Sequence, residues 1–408
     1  MSKIAVIGGG AAGLVAAYAA ATNGNNVTLF EKNEKCGKKI YITGKGRCNV
    51  THDCTPAEFL NNVVNNSKFM TSSIYAFSPD DTMRFFEDGG LRLKTERGAR
   101  VFPLSDKASD VTKCLENYCK NVGVTFKFDE QVNKIVNLHS TMFNIITSKQ
   151  DYTFDKVIVC TGGISYPSTG STGDGYKFAQ NFGHSVVPVK QGLCGLNLKG
   201  NCYKQIQGLS LKNVNLTVFY EDKKIKELFG EMLFTHFGVS GPIVLSASSL
   251  INRLDLNKVR LSIDFKPALS EEQLDKRLLR DFEEYKNKSI SNCLKELLPT
   301  ALISVMLARC GISSDKKVNS ITKIERQLLL TNIKNFDMLV SSLRGFEEAI
   351  ITSGGVDVKE INPRTMESKL VKGLYFCGEV LDIDAFTGGF NLQIAFSTGF
   401  AAGNNIKD

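Results

Sequence analysis

The chain has 408 residues, 42% of them hydrophobic, with 50 Lys and Arg against 42 Asp and Glu, a net charge of +8. That length implies two or three domains with sizeable cores, and no apolar run reaches the roughly 18 residues of a membrane-spanning helix. Eleven cysteines without a CxxC pair, behind an N-terminus that enters its first strand at once, fit buried thiols in a reducing cytoplasm with no signal peptide. Cys36, Cys48 and Cys54 lack zinc-ligand spacing, so no metal site is expected.

The opening stretch, Lys3 to Lys32, organises the rest. An apolar run from Ile4 to Ile7 reads as a buried parallel strand. Gly8-Gly9-Gly10 then makes a turn, and an Ala-rich segment from Ala11 to Ala21 has good helix propensity. Gly8, Gly10 and Gly13 complete GxGxxG in strand–turn–helix context. The first glycine makes the turn, the second lets backbone approach a pyrophosphate, and the third packs helix on strand. The helix N-terminus, with Ala12 in its first turn, offers free N–H groups to that pyrophosphate. A second strand, Val27 to Phe30, ends in Glu31, a carboxylate placed to accept hydrogen bonds from an adenosine ribose, followed by Lys32. A bound dinucleotide follows.

Lys32 to His52 is rich in Gly and Lys and reads as an extended loop. Lys38, Lys39, Lys45 and Arg47 carry positive charge beside the pyrophosphate site. Thr55 to Tyr118 reads as polar and helical, with a short strand at 91–94. Strands are expected at 124–128, 133–137, 142–147 and 152–154. Lys156 to Gly163 is a second apolar strand ending in Thr161-Gly162-Gly163, and the SYPSTGSTGDG stretch from Ser165 to Gly175 reads as a cofactor-facing loop before a helix at 176–181. From about Pro188 the texture turns β-rich, with strands at 196–198, 210–220, 225–229 and 259–265. His236 lies in a loop of this region and is the best polar candidate for catalysis. Ser270 and Gln273 match a capping box, and helices follow at about 289–309 and 323–332. In the tail, glycine-ended strands return. Gly373 to Glu379 is a strand ending in Gly378 and an acid, and Gly388-Gly389 leads into a helix at 392–402. That helix N-terminus suits the negative charge of a flavin N1/C2=O edge. Three glycine-rich strand ends converging on one cofactor point to FAD rather than NAD.

These segments together resemble the FAD-dependent BaiN/aminoacetone-oxidase family, also called YhiN-like NAD(P)/FAD-dependent oxidoreductases. The resemblance rests on GGGAAG with Glu31, GKKIYITGKGRCNVT, TGG with STGDGY, LFTHFGVSGP, ITSGGV and LYFCGEVLDIDAFTGGFNLQIAFSTG. It implies an α/β fold: a glutathione-reductase-like FAD-binding Rossmann domain (1–189 and 346–408), an inserted β-rich domain (190–266) and a helical subdomain (267–345). It also implies that Gly46, Arg47, Cys48 and Asn49 lie along the cofactor, and that Val132 meets the adenine. Glu379 would touch the ribityl chain, and Gly389, Phe390, Asn391 and Leu392 the flavin ring. Ala385 stands where many relatives have glycine. The implied activity is an FAD-dependent oxidoreductase exchanging hydride with a small or steroid-like substrate, reducing the C=C of an enone such as a 3-oxo bile-acid intermediate, with NADH or NADPH as donor. The alternatives are an aminoacetone-type amine oxidase and a nucleic-acid-associated or non-catalytic flavoprotein. With no second GxGxxG, the nicotinamide would be a visitor. The expected partner is a small molecule rather than nucleic acid or membrane.

Overall fold

The computed structural model describes residues 1–44, 46–139 and 142–406. They form two compact units, Met1–Gly192 with Gly345–Asp408, and Leu193–Arg344. The first is built on a parallel sheet. Its strands are β1 (Lys3–Ile7), β2 (Asn26–Phe30), β3 (Thr125–Lys127), β4 (Lys156–Val159) and β5 (Leu374–Phe376), in the order β5-β4-β1-β2-β3. Ile4 to Ile7 are buried on both faces, as a central parallel strand requires, and Val6 pairs with Leu29 on one side and Ile158 on the other. The chain leaves β1 towards β2 and later returns to its opposite side at β4. The carboxyl end of β1 is therefore a topological switch point, where open α/β sheets bind ligands.

Helix α1 (Ala11–Thr22) follows β1, and α2 (Phe390–Asn404) closes the chain beside it. Small residues let the two backbones nearly touch. A Cβ on Gly399 would sit 2.4 Å from the Ala12 carbonyl oxygen, and one on Gly403 would sit 2.3 Å from that of Ala16. A three-stranded antiparallel meander, Val132–His139, Met142–Thr147 and Asp151–Phe154, belongs to the same unit.

The second unit is a closed antiparallel barrel. Its strands run in the order Leu196–Leu198, Gly238–Ser240, Lys223–Phe234, Ser210–Tyr220, Val259–Asp264 and Phe336–Leu343. Helices Glu271–Glu284, Thr300–Arg309 and Lys323–Lys334 share one hydrophobic cluster with the barrel: Leu278, Leu302 and Leu329 belong to it together with Leu216 and Leu261. The capping box forms as read, with the Ser270 side chain accepting from the Gln273 N–H.

Three local readings are corrected. The stretch read as an extended loop contains a helix, Lys38–Thr43, entered through Gly37 at φ 70°. Ile40 is buried there, and the Tyr41 hydroxyl lies 2.6 Å from that of Thr112. Tertiary packing stabilises this short helix, which propensity alone would not. The segment 289–309 is broken, with Ile290–Cys293 and Thr300–Arg309 separated by a 3₁₀ turn and Pro299. Within the region read as helical, Phe336–Leu343 is a strand that pairs with both Leu196–Leu198 and Val259–Asp264. No described helix is long and apolar enough to cross a membrane.

Candidate cofactor site

At the switch point the three glycines do three different things. Gly8 has φ 104°, and a Cβ there would lie 2.5 Å from the Cys160 carbonyl oxygen at the end of β4. Gly13 lies under the turn: its Cβ would fall 1.9 Å from the Gly8 carbonyl oxygen. At Gly10 an added Cβ meets nothing within 4 Å. Gly10 is also the N-cap of α1, so the first amides of that helix face open space without an intrahelical acceptor.

The turn borders a cleft with about 1330 Å³ of free space, part of it open to solvent. It runs from the ends of β1 and β2 past Thr161 to the first turn of α2. On one wall stands Glu31, only 8% exposed. Its Oε2 accepts from the Gly9 N–H at 2.8 Å, and its Oε1 accepts from the Asn33 backbone N–H at 2.9 Å and Asn33 Nδ2 at 2.6 Å. Asn33 is a hub that nothing in the sequence pattern singles out. Its Nδ2 also donates to the Thr169 carbonyl at 3.1 Å, and its Oδ1 accepts from Lys38 Nζ at 3.0 Å. Lys32 pairs with Asp174 at 2.9 Å and donates to the Thr172 hydroxyl at 2.6 Å, tying the end of β2 to the 165–175 loop.

Glu379 collects the other wall. Its Oε1 accepts from Lys39 Nζ at 2.8 Å, Ser165 Oγ at 2.9 Å and the Thr352 N–H at 2.7 Å. The Thr352 hydroxyl in turn accepts from the backbone N–H groups of Ile164 and Ser165. Gly163 makes this junction possible, since a Cβ there would lie 2.3 Å from Thr352 Oγ1. Gly162, at φ 70°, and Thr161 line the cleft, and the buried Thr161 hydroxyl oxygen has no hydrogen-bond partner among the described residues. A free helix N-terminus, a buried acid at the end of β2 and an unmatched hydroxyl on the wall are the groups a dinucleotide needs. The residues fit it.

Residues 2–405 match the family described as HI0933-like protein Rossmann domain. The chain belongs to this family. A relative from Clostridium scindens named 3-dehydro-bile acid delta(4,6)-reductase is 30% identical over 407 residues, covering 99% of this chain and 98% of the relative. A Haemophilus influenzae protein named ribosomal RNA dihydrouridine synthase is 29% identical over 412 residues, covering 100% and 98%. Among solved structures, a Sterolibacterium denitrificans 3-ketosteroid delta1-dehydrogenase superposes with a TM-score of 0.52 at 12% identity, covering 99% of both chains. A flavocytochrome c3 fumarate reductase gives 0.50 at 18%, covering 99% of this chain and 78% of its own. These two likenesses are of fold. The HI0933-like chain is an FAD-dependent oxidoreductase with a Rossmann-type FAD-binding domain, in line with the BaiN-like resemblance.

The HI0933-like fold gathers many of the candidate residues in the cleft and leaves others outside its lining. Gly8, Gly10, Ala12, Glu31, Lys32 and Lys38 line one part, and Val132, Thr161, Gly162, Glu379, Asn391 and Leu392 line the rest. Asn391 also pins its loop, exchanging hydrogen bonds with the Ala385 N–H at 3.0 Å and carbonyl at 2.8 Å. Gly378 supports the cleft from behind, where a Cβ would lie 2.7 Å from that of Ala12. Gly389 caps α2 at φ 99°, with no room for a Cβ against Thr51. Phe390 is buried and stacks on His52 with ring centroids 4.4 Å apart, while His52 Nδ1 lies 3.1 Å from the Gly388 carbonyl oxygen. His236 belongs to the other unit, exposed on the turn between Lys223–Phe234 and Gly238–Ser240. Lys45 lies outside the described residues.

Gly46, Arg47, Cys48 and Asn49 are likewise absent from the cleft lining. Burial pushes the Cys48 thiol up to about 12, so it is no thiolate at neutral pH. Arg47 pairs with Glu96 and, at 2.6 Å, with Asp106, over the Phe102 ring. The Arg47 hydrogen bond holds the Glu96 carboxyl below its ordinary range, and Lys94, then Arg47, do the same for Asp106. Lowered carboxyl values mean stability that is present above the ordinary range near pH 4 and lost as pH falls through the lowered value. Arg47→Ala is therefore expected to melt below the parent at pH 7, with the gap closing at acid pH. Thermal melts across pH check it; a gap constant with pH would assign Arg47's contribution to its stacking on Phe102.

Proposed function

We propose that the protein reduces a carbon–carbon double bond conjugated to a carbonyl, with NADH or NADPH as electron donor and a small enone of the 3-oxo steroid kind as acceptor. The observation that carries this reading is the agreement between full-length relatives whose named substrates differ completely. A delta(4,6)-reductase of a 3-dehydro-bile acid and a dihydrouridine synthase both saturate a C=C in conjugation with C=O. FAD, when bound and reduced, supplies the hydride for such a reaction.

The chain's own residues bind, orient and exclude water. Glu31 takes the adenosine ribose, the α1 amides beside Gly10 take the pyrophosphate, and backbone at Val132 takes the adenine. Lys38 adds positive charge near the phosphates. Lys39 and Glu379 stand where the ribityl chain passes, and residues 389–392 at the N-terminus of α2 face the ring. Gly46 to Asn49 complete the set proposed to lie along the cofactor. His236 is the proposed proton donor to the carbon beside the carbonyl.

An anaerobic flavin-reduction screen tests the reaction. NADH or NADPH is expected to bleach the flavin, and a 3-oxo-Δ4 steroid to restore its colour; recovery with a uridine-containing RNA and not with the steroid would overturn the small-enone acceptor. Bleaching by amines, with no response to either acceptor, would replace this reading with amine oxidation. His236→Ala is expected to lower turnover by roughly 10²-fold, the lower end for general acid catalysis, with FAD retained. Undiminished turnover would return His236 to a surface role.

A further inference from the structure

Beside Glu31 the cleft holds a second buried acid that the contacts proposed above leave unused. Glu130 is 3% exposed and lines the cleft together with Gln131 and Val132. Its backbone N–H donates to the Glu31 carbonyl at 3.1 Å, so the two acids stand on neighbouring segments of chain. The protein serves them unequally. Glu31 accepts three hydrogen bonds, from the Gly9 N–H and from the backbone and side chain of Asn33. Glu130 accepts one, from the Thr147 hydroxyl to Oε1 at 2.8 Å. Even that hydrogen is shared, since the same hydroxyl lies 2.7 Å from the Gln150 carbonyl oxygen. Among the described residues Glu130 Oε2 has no hydrogen-bond partner, and neither oxygen has a Lys or Arg within ion-pair distance.

A carboxylate has about four acceptor sites, and taking one out of water behind a single shared donor is costly unless something else meets it. Bracing the backbone does not account for it. Gln131 already ties this segment to the meander, its N–H donating to Ser148 Oγ at 3.2 Å and its carbonyl accepting from the Ser148 N–H at 2.8 Å. An ionised carboxylate only accepts, so the group that completes Glu130 is a hydrogen-bond donor on the ligand in the cleft. In the placement proposed above, the ribose hydroxyls lie at Glu31 and the adenine at the backbone of Val132, two residues from Glu130. Adenosine has donors of two kinds, those hydroxyls and the 6-amino group. The amino group carries two hydrogens, so one is left for Glu130 even where backbone takes the other.

We infer that Glu130 accepts a hydrogen bond from the adenine 6-amino group and selects adenine over other bases by it. The inference rests on the placement of the adenosine proposed above. A 6-oxo purine turns an acceptor towards the carboxylate, and a purine without the amino group leaves Oε2 buried with no donor. Either loss falls on an acceptor that water no longer reaches, which is what makes such a contact discriminating.

The test titrates full-length apoprotein, by fluorescence, with FAD and with two analogues: one whose purine lacks the 6-amino group and one carrying 2′-deoxyribose on the adenosine. The parent should bind FAD at least about tenfold more tightly than the deamino analogue, the usual scale for a hydrogen bond to a charged group. In Glu130→Gln that preference should vanish, through weaker binding of FAD and unchanged binding of the analogue. Thr147 Oγ1 already accepts from the Lys149 and Gln150 N–H groups, both at 3.1 Å. The glutamine oxygen therefore turns to the Thr147 hydroxyl, and its NH₂ faces the cleft, donor against donor. Preference for FAD over the 2′-deoxy analogue should stay as in the parent. The Glu130→Gln apoprotein should melt no lower than the parent, because the change removes a buried charge that the protein does not pair. The inference is overturned if the parent binds FAD and the deamino analogue alike, or if Glu130→Gln keeps the parent's preference, whether or not it melts lower. It is also overturned if Glu130→Gln loses discrimination against the 2′-deoxy analogue instead, which would put Glu130 at the ribose. Glu31→Ala, titrated alongside, separates the two failures. A Glu31→Ala protein that binds FAD as the parent does refutes the placement and this inference with it. One that loses FAD, beside a Glu130→Gln protein with the parent's preference, refutes the role of Glu130 alone.

Discussion

Glu31→Ala is expected to elute from gel filtration largely stripped of FAD. Glu31 is buried at the end of β2, and under the proposed reading its carboxylate accepts from the adenosine ribose. Losing a charged acceptor costs roughly 1.5–3 kcal/mol, or about 10- to 150-fold in affinity. The structure adds a second effect. The same carboxylate holds the glycine turn, accepting from the Gly9 N–H and from Asn33. Removing it leaves those donors without their acceptor, so the apoprotein should also melt lower, by about 1–3 kcal/mol of stability. Glu31→Gln separates the two effects. An amide retains one acceptor oxygen, enough for Gly9 or Asn33 but not both, and should fall between parent and alanine variant in melting temperature while losing the charge. The measurements are the flavin-to-protein absorbance ratio and a fluorescence titration of apoprotein with FAD. If Glu31→Ala keeps its FAD while melting lower, Glu31 only braces the turn and the ribose is held elsewhere.

The contrast between Glu31 and Asn33 shows what a linear sequence reveals. Glu31 is legible because its distance from the glycines is set by one strand, one turn and one helix, all local. Asn33, Ser165 and Thr352 bind the walls just as closely, yet their partners come from segments far apart in the chain. No local pattern encodes that convergence. The barrel shows a related limit. Ser210–Tyr220 alternates and is legible to the residue, while Phe336–Leu343 lies among helices and joins the barrel only through strands more than 70 residues earlier. The helix Lys38–Thr43 is hidden for a different reason: its Gly- and Lys-rich setting reads as loop, and packing against Thr112 is what forms it.

Gly10→Ala and Gly13→Ala should fail in opposite ways, and the pair locates the cofactor without a bound ligand. At Gly13 the new methyl would sit 1.9 Å from the Gly8 carbonyl oxygen, which is itself part of the turn. Backbone cannot yield as a side-chain tip can, so α1 must lift from β1 by more than about 1 Å to restore van der Waals contact. Overpacking of this kind costs at least about 1–3 kcal/mol. Gly13→Ala should express poorly, melt well below the parent and hold no FAD whatever the ligand's path. At Gly10 the methyl meets nothing within 4 Å, and the backbone, at φ −83° and ψ −170°, is one that alanine adopts without strain. Apoprotein carrying Gly10→Ala should therefore melt within about 0.5 kcal/mol of the parent, as surface substitutions do. Its FAD affinity should nevertheless fall by about tenfold or more, because the empty space beside Gly10 is where the proposed pyrophosphate meets the helix amides. Circular dichroism melts of apoprotein and FAD titrations separate the two outcomes. A Gly10→Ala protein that binds FAD as the parent does would mean that the phosphates do not pass the N-terminus of α1, and the cofactor would then have to be held by the Glu379 wall alone.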